Sequence, residues 1–360
     1  MSLSLSVDSL LSYPACMWHE NPSKRWIDLC TRLKEYEATA DCLGILQDRE
    51  RKWELVSSYQ KIVRRGLADL SPWLVSEFLS LGRMEWAYCW RRICVTAAED
   101  VGFADPELMN FVIACSTLFR PSAGPEALRN VWEFLTKEMC RAQRSRVYCQ
   151  LALVSDGIKR GDLSGVMSSW EQAIIEELKA RPSVTDGDQC TAKTKWALKN
   201  DWRADGMLKF QATIQTAFEV HATGPDVAYQ LLSGLPDFSY DKHTRSGKAV
   251  CARLARYGAI RKFLNEHPPR GIRNAAVAWG LFFAEGCRIA GGLEDARLTV
   301  LEAKAMAGLL GWEMDTWREL VHLVNGAVSL GIVNQIRKAV LSSSLAQRSS
   351  CQPKSMKLFE

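Results

Sequence analysis

Apolar side chains recur three and four positions apart along most of the chain, the spacing that places them on one face of an α-helix. Within the N-terminal part, residues 1–50, Trp26, Ile27, Cys30 and Leu33 carry this spacing, after breaks at Pro14, Pro22 and Ser23. The same pattern predicts helices over Glu50–Arg65, stopped by Gly66, and from Ser71 and Pro72 to near Gly82. A pair of helices is expected between Met84 and Phe119, then Glu126–Arg141, Arg146–Lys159 and an amphipathic Val166–Ala180. Residues 181–206 read as the least orderly internal stretch, a soft boundary. Helical spacing returns over Gly206–Val220, Pro225–Leu232, Ser246–Leu264, Ala275–Ala290, Leu293–Leu310 and Thr316–Leu341. Alternating patterns that would mark strands are scarce. The expected fold class is all-α, a helical bundle or an array of helix pairs. The expected divisions are 1–50, 51–180, 207–341 and a flexible tail, 342–360, rich in Ser, Gln and Lys.

One stretch, Trp86 to Met109, organises this pattern. Tyr88, Arg91, Arg92, Val95 and Ala98 fall three or four apart on one helix. Glu99-Asp100-Val101-Gly102 ends it, with Gly102 supplying backbone freedom. Asp105 is a good N-cap for the next helix, Pro106 a good first residue, and Glu107 meets the positive end of the dipole. Glu99 and Asp100 are adjacent, so they point in different directions and suit a shared catalytic centre poorly. A salt bridge to Arg91 or Arg92 is the expected use.

Arg91-Arg92, Ala97-Ala98-Glu99-Asp100-Val101-Gly102 and Ala104-Asp105-Pro106 together resemble the signature of the replication-associated recombination protein A family. Leu55 to Arg64 and Ala142 to Tyr148 resemble its flanking segments, so the likeness covers roughly Lys52 to Lys159. In that family the signature lies in the helical region behind a clamp-loader-like AAA+ ATPase. The resemblance therefore implies a collar-like helical domain and a place in DNA replication or recombination. It also makes self-association an expectation.

Composition narrows the class. The 360 residues are 47% hydrophobic and 24% charged, ordinary for a globular protein. No apolar run reaches the ~18–20 residues that a membrane helix needs. Met1–Leu10 lacks the basic start and long apolar core of a signal peptide, so a cytoplasmic protein is expected. The 12 cysteines are scattered without a CxxC pair, and the five histidines are dispersed, so reduced core cysteines and no metal are expected.

Sites for chemistry are few. A phosphate-binding P-loop needs Gly-x-x-x-x-Gly-Lys-Ser/Thr. The single Gly-Lys pair, Gly247-Lys248, is followed by Ala249 and lacks the earlier glycine. Neither ATP nor any other cofactor is expected, and the family's ATP hydrolysis does not carry over. Asp241 to Lys248 is a dense polar cluster that reads as the start of a helix with phosphate-contacting side chains. A DNA-processing enzyme centred there would need a second carboxylate or a nucleophile relay that the sequence does not locate.

Cations are clustered, and the formal net charge is +5. Arg91, Arg92, Arg144, Lys242, Arg245, Lys248, Arg253 and Arg256 are the candidate nucleic-acid contacts, with Arg261, Lys262, Arg270 and Arg273 nearby. Phosphate contacts of this kind would be salt-dependent and largely blind to sequence. At the C-terminus, Ser355-Met356-Lys357-Leu358-Phe359 resembles the bacterial sliding-clamp-binding peptide. Met356, Leu358 and Phe359 would enter an apolar clamp pocket, and Ser355 stands where the pattern has Gln. The expectation is a non-enzymatic replication accessory protein that docks on the sliding clamp and contacts DNA through basic helices. The alternative is a phage-type inhibitor or interaction protein acting through its helical body.

Overall fold

The computed structural model describes residues 9–10, 23–39, 51–102, 104–163, 168, 171–172, 175–176, 229–289, 292–293 and 296–350. The fold is all-α: helices alternate with short turns, and the few strands are two residues long. The expected helix Gly206–Val220, the boundary over 181–206 and the clamp-binding residues Ser355, Met356, Leu358 and Phe359 lie outside the described residues.

α1 (Lys24–Lys34) starts where the Ser23 hydroxyl accepts the Trp26 N–H at 3.0 Å. It buries Trp26, Leu29, Cys30 and Leu33. Ile27, expected on that face, is 46% exposed, because one residue turns a helix by about 100° and carries it away from Trp26. α2 (Lys52–Arg65), α3 (Ser71–Ser80), α4 (Arg83–Thr96), α5 (Pro106–Leu118), α6 (Pro125–Arg141) and α7 (Val147–Arg160) surround the first core. Trp132 of α6 sits at its centre, edge-on to Phe78 at 6.3 Å and to Trp90 at 5.8 Å. Tyr59 of α2 stacks on Phe78 at 5.2 Å.

α4 ends in a π turn, Ala97–Val101. Wider winding leaves Gly102 pressed against the preceding turn. A Cβ there would lie 2.3 Å from the Ala98 carbonyl oxygen, so close approach requires glycine rather than a left-handed conformation. α5 begins as the sequence predicts: Asp105 accepts the Leu108 N–H at 3.0 Å, with Pro106 next.

The second core is built from α8 (Arg245–Leu254), α9 (Gly258–Glu266), α10 (Arg273–Leu281), α11 (Ala296–Leu310), α12 (Met314–Ser329) and α13 (Ile332–Ser350). Three expected helices are divided. Ser246–Leu264 breaks at 255–257, where Tyr257 is extended, because turning there returns Ile260, Phe263 and Leu264 to the core filled by Val250 and Leu254. Thr316–Leu341 breaks at Leu330 and Gly331, the latter at φ 72°. Ala275–Ala290 becomes α10 and a second π turn, Phe282–Gly286. At the end of the expected Pro225–Leu232 helix, β2 (Leu231–Leu232) pairs antiparallel with β3 (Leu235–Pro236). Ser233 and Gly234 have φ of 49° and 79°, as the tightest hairpin turn requires.

The two cores are tied together. β1 (Arg144–Ser145) pairs in parallel with β4 (Gly292–Leu293), and α7 packs along α11. Leu298 and Leu301 of α11, and Leu232, Leu235, Phe238 and Tyr240, join the first core.

Trp132→Ala removes the ring on which the first core closes. It should lower stability by about 3–5 kcal/mol in urea unfolding followed by circular dichroism.

Candidate nucleic-acid interface

α2 is buried at every position from Glu54 to Arg65 except Gln60. Its Lys61, Arg64 and Arg65 are therefore interior cations, 3%, 3% and 4% exposed. A buried charge is costly unless paired. Arg64 donates to Asp100 Oδ1 at 2.6 Å and to the Gly286 carbonyl. Arg65 donates to the Glu285 carbonyl at 3.3 Å, and the Glu285 carboxylate receives both terminal nitrogens of Arg337 at 3.2 and 2.5 Å. Lys61 donates to Asp241 at 2.5 Å and to Ser57 at 2.6 Å.

These pairs correct the partner expected for Asp100, which meets Arg64 and not Arg91 or Arg92; Glu99 accepts from Gln60 at 2.5 Å. The π turn rotates both carboxylates onto α2, while Arg91 stays exposed on α4. Arg92 donates to Gln60 at 3.3 Å. The sequence signal was available in one respect: Lys61, Arg64 and Arg65 occupy a helix whose neighbours are apolar.

The Lys61–Asp241 pair positions the start of α8. Asp241 Oδ1 accepts the His243 N–H at 2.9 Å, and its carbonyl accepts the Thr244 N–H at 3.0 Å. Thr244 then caps α8 by accepting the Gly247 N–H at 2.9 Å. A Cβ on Gly247 would lie 1.7 Å from the Asp241 carbonyl oxygen, so only glycine lets α8 begin so close to the turn. The Gly247-Lys248 pair thus has a packing cause. Burial would raise the Asp241 carboxyl, but the Lys61 ammonium and the His243 ring overcome it and hold it at about 2. Burial holds Lys61 below its ordinary value despite the attraction of Asp241.

A cationic surface follows from this anchored start. Between Lys242 and Arg273 the sequence carries nine Lys and Arg residues against one acid, Glu266. Arg245, Lys248 and Arg253 of α8 are exposed, away from its buried Val250, Cys251 and Leu254, and Arg256 is exposed in the turn that follows. The turn at 255–257 then directs Arg261 and Lys262 of α9 outward, with Arg270 and Arg273 exposed beyond it. Glu266 reaches Lys262 at 3.9 Å, with both side chains more than half exposed, a weak surface pair. Arg273 donates to Asn265 at 2.6 Å.

Of the eight sequence-selected cations, the structure brings four together here. Lys242 is half-buried over the Trp279 and Phe282 rings, where it supports the second π turn. Arg91 lies over Tyr88 on α4 at 5.6 Å. Arg144 is a correction: only 8% exposed, it donates to the Cys140 carbonyl and packs on Gly66, because β1 draws it into the seam between the cores. Its neighbour Arg146 is likewise buried against Glu302 at 3.0 Å.

Among the described residues, no three His, Cys, Asp or Glu side chains cluster to hold a metal ion. No helix of the described residues is long and apolar enough to cross a membrane. Cys30, Cys89, Cys94, Cys115, Cys140 and Cys251 are buried thiols that form no disulfide. Burial pushes the Cys251 thiol up to about 12, which keeps it protonated.

No family model matches the chain, and no solved structure matches it. It is 30% identical over 117 residues to the replication-associated recombination protein A of Escherichia coli strain K12, a stretch that covers 31% of this chain and 25% of that relative. The relative of the same name from Escherichia coli O157:H7 matches with the same identity and coverage. The chain spans about a quarter of the length of the curated relatives it matches. Their name is that of the family which the motif around Glu99 to Pro106 resembles.

Two outcomes test the buried pairs. Asp100→Ala leaves Arg64 without its carboxylate and should cost about 3–5 kcal/mol, against less than about 0.5 kcal/mol for the exposed Arg91→Ala, by urea unfolding. Asp241 titrates lower folded than unfolded, so its pairing stabilises the fold above about pH 4 and is lost as pH falls towards 2. Urea midpoints measured across that window should include a loss of about 2 kcal/mol that Asp241→Asn lacks.

Proposed function

We propose that this chain is a non-enzymatic accessory protein of DNA replication or recombination that holds nucleic acid on the cationic surface of α8 and α9. The observation that carries the reading is the exposure of Arg245, Lys248, Arg253, Arg256, Arg261, Lys262, Arg270 and Arg273 on one continuous segment with a single acid among them. So dense a charge repels itself, and a polyanion relieves that repulsion by taking the place of counterions. Flexible Lys and Arg without rigid acidic partners suit phosphates rather than base edges, so binding is expected to track charge rather than sequence. The partial likeness to replication-associated recombination protein A supports placing this activity at replication or recombination.

The second element of the proposal is docking on a sliding clamp through Ser355, Met356, Leu358 and Phe359. It rests on the sequence pattern of the C-terminal peptide alone.

Fluorescence anisotropy with labelled DNA at several salt concentrations tests the surface. Binding should weaken steeply with salt, and Arg253→Ala with Arg256→Ala should lower the slope of log affinity against log salt by about one per removed contact. A slope unchanged by both substitutions would move the contact elsewhere. For the tail, removal of residues 355–360 should abolish binding to a bacterial sliding clamp in surface plasmon resonance while leaving the thermal melt unchanged.

A further inference from the structure

We infer that Trp53, backed by Tyr88, is a stacking platform for unpaired bases, so that a single nucleic-acid strand is the preferred ligand of the cationic surface beside it. The inference rests on the nucleic-acid reading above and names the ligand's form. Trp53 stands in the first turn of α2, the most buried helix of the first core, yet it is 53% exposed. Trp26, Trp86, Trp90, Trp132 and Trp317 are all buried, so the exposure of Trp53 is a local choice and not a consequence of composition.

The indole does not swing freely. It meets Tyr88 of α4 edge-on, with centroids 5.8 Å apart and planes at 78°. The Lys52 ammonium lies 4.7 Å from the Tyr88 ring and 5.7 Å from the Trp53 ring, and is itself held by Glu85 at 3.0 Å. Arg91 covers Tyr88 from further along α4. Met84, one turn before Tyr88, is 91% exposed, and Arg83 beside it is exposed too. Aromatic faces ringed by cations offer a base a surface to stack on and its phosphates a charge to meet.

The start of α2 links the two surfaces. Glu54, adjacent to Trp53, accepts the Ser246 hydroxyl at 3.1 Å. Arg51 donates to the Ser233 carbonyl and to the Tyr240 hydroxyl, both at 2.8 Å. The first turn of α2 is therefore fixed against the first turn of α8, where Arg245 and Lys248 flank Ser246 and face solvent. A strand whose phosphates run along α8 can lay a base on Trp53. A duplex keeps its bases stacked on one another and cannot.

The experiment uses the full chain with two anisotropy probes, a labelled oligothymidine strand and a labelled duplex of equal length, at one salt concentration. Trp53→Ala should weaken single-strand binding about five- to a hundredfold and leave duplex binding within about twofold, with Trp53→Phe recovering most of the loss. Met84→Glu, at a nearly fully exposed position that bears no folding load, should also weaken the single strand selectively by placing negative charge beside the platform. Equal binding of the single strand by the parent and both variants, or equal loss on strand and duplex, overturns the platform and leaves the cationic surface standing. Failure of the parent chain to bind either probe overturns the nucleic-acid reading itself, and the platform with it.

Discussion

A helix that carries cations into an apolar interior must find an anion or a carbonyl for each of them, and α2 imposes that constraint on the whole molecule. Lys61, Arg64 and Arg65 draw partners from three separated places: the π turn at Asp100, the π turn at Glu285 and Gly286, and the turn at Asp241. None of these partners is local in sequence. Each pairing fixes the position of one distant segment against α2, and together they hold the second core and the start of α8 in place. Single-partner losses are severe here because the remaining charge cannot be reached by water. The apolar cores supply the bulk of the burial, whereas the ionic seam decides how the two cores meet.

The same constraint gives the family-like motif a physical meaning. Gln60 with Glu99 and Arg64 with Asp100 join two of the segments that carry the resemblance, and the Cys149 thiol on the Glu99 carbonyl ties in the helix at the end of the third. The acidic pair is consumed in folding. Its carboxylates face α2 instead of a cleft, and the π winding that turns them there also presses Gly102 onto Ala98. Over that stretch the residues of the motif serve, in this chain, to join helices. The cationic surface, by contrast, is built by residues 242–273, far from the motif in sequence and beyond the Lys52–Lys159 likeness.

Much of the fold was legible because helices report themselves through spacing. Gly66, Asp105 and Pro106 marked boundaries that the structure keeps to within a residue or two. The breaks at 255–257 and at Leu330–Gly331 were not legible, since the apolar repeat continues through them and only the shape of the second core demands a turn. The cations divide in the same manner. Arg245, Lys248, Arg253 and Arg256 alternate with apolar residues at helical spacing, so their exposure follows from their own segment. Arg144 and Arg146 look equally basic in sequence, but a strand pairing and Glu302, 156 residues away from Arg146, bury them. Trp53 carried no signal either, because the same spacing that marks buried tryptophans elsewhere includes it.

The contrast between the two sets of cations is the strongest guide to function. Inside, every positive charge of the α2 seam meets a carboxylate or a carbonyl, and the seam adds little net charge. The excess of the chain, +5 overall, has to stand at the surface, and the segment from Lys242 to Arg273 gathers more of it than any ion-pairing demand explains. Spreading these residues over a single long helix would have left them on one straight face. The turn at 255–257 instead folds the cations of α8 and α9 around a corner, and the Lys61–Asp241 pair holds that corner to the rigid core. A surface that is costly in self-repulsion, curved by a specific turn and anchored by a buried ion pair is one whose geometry is fixed before any ligand arrives. For a polyanion that means the backbone needs no ordering on binding, and only the long Lys and Arg side chains lose freedom.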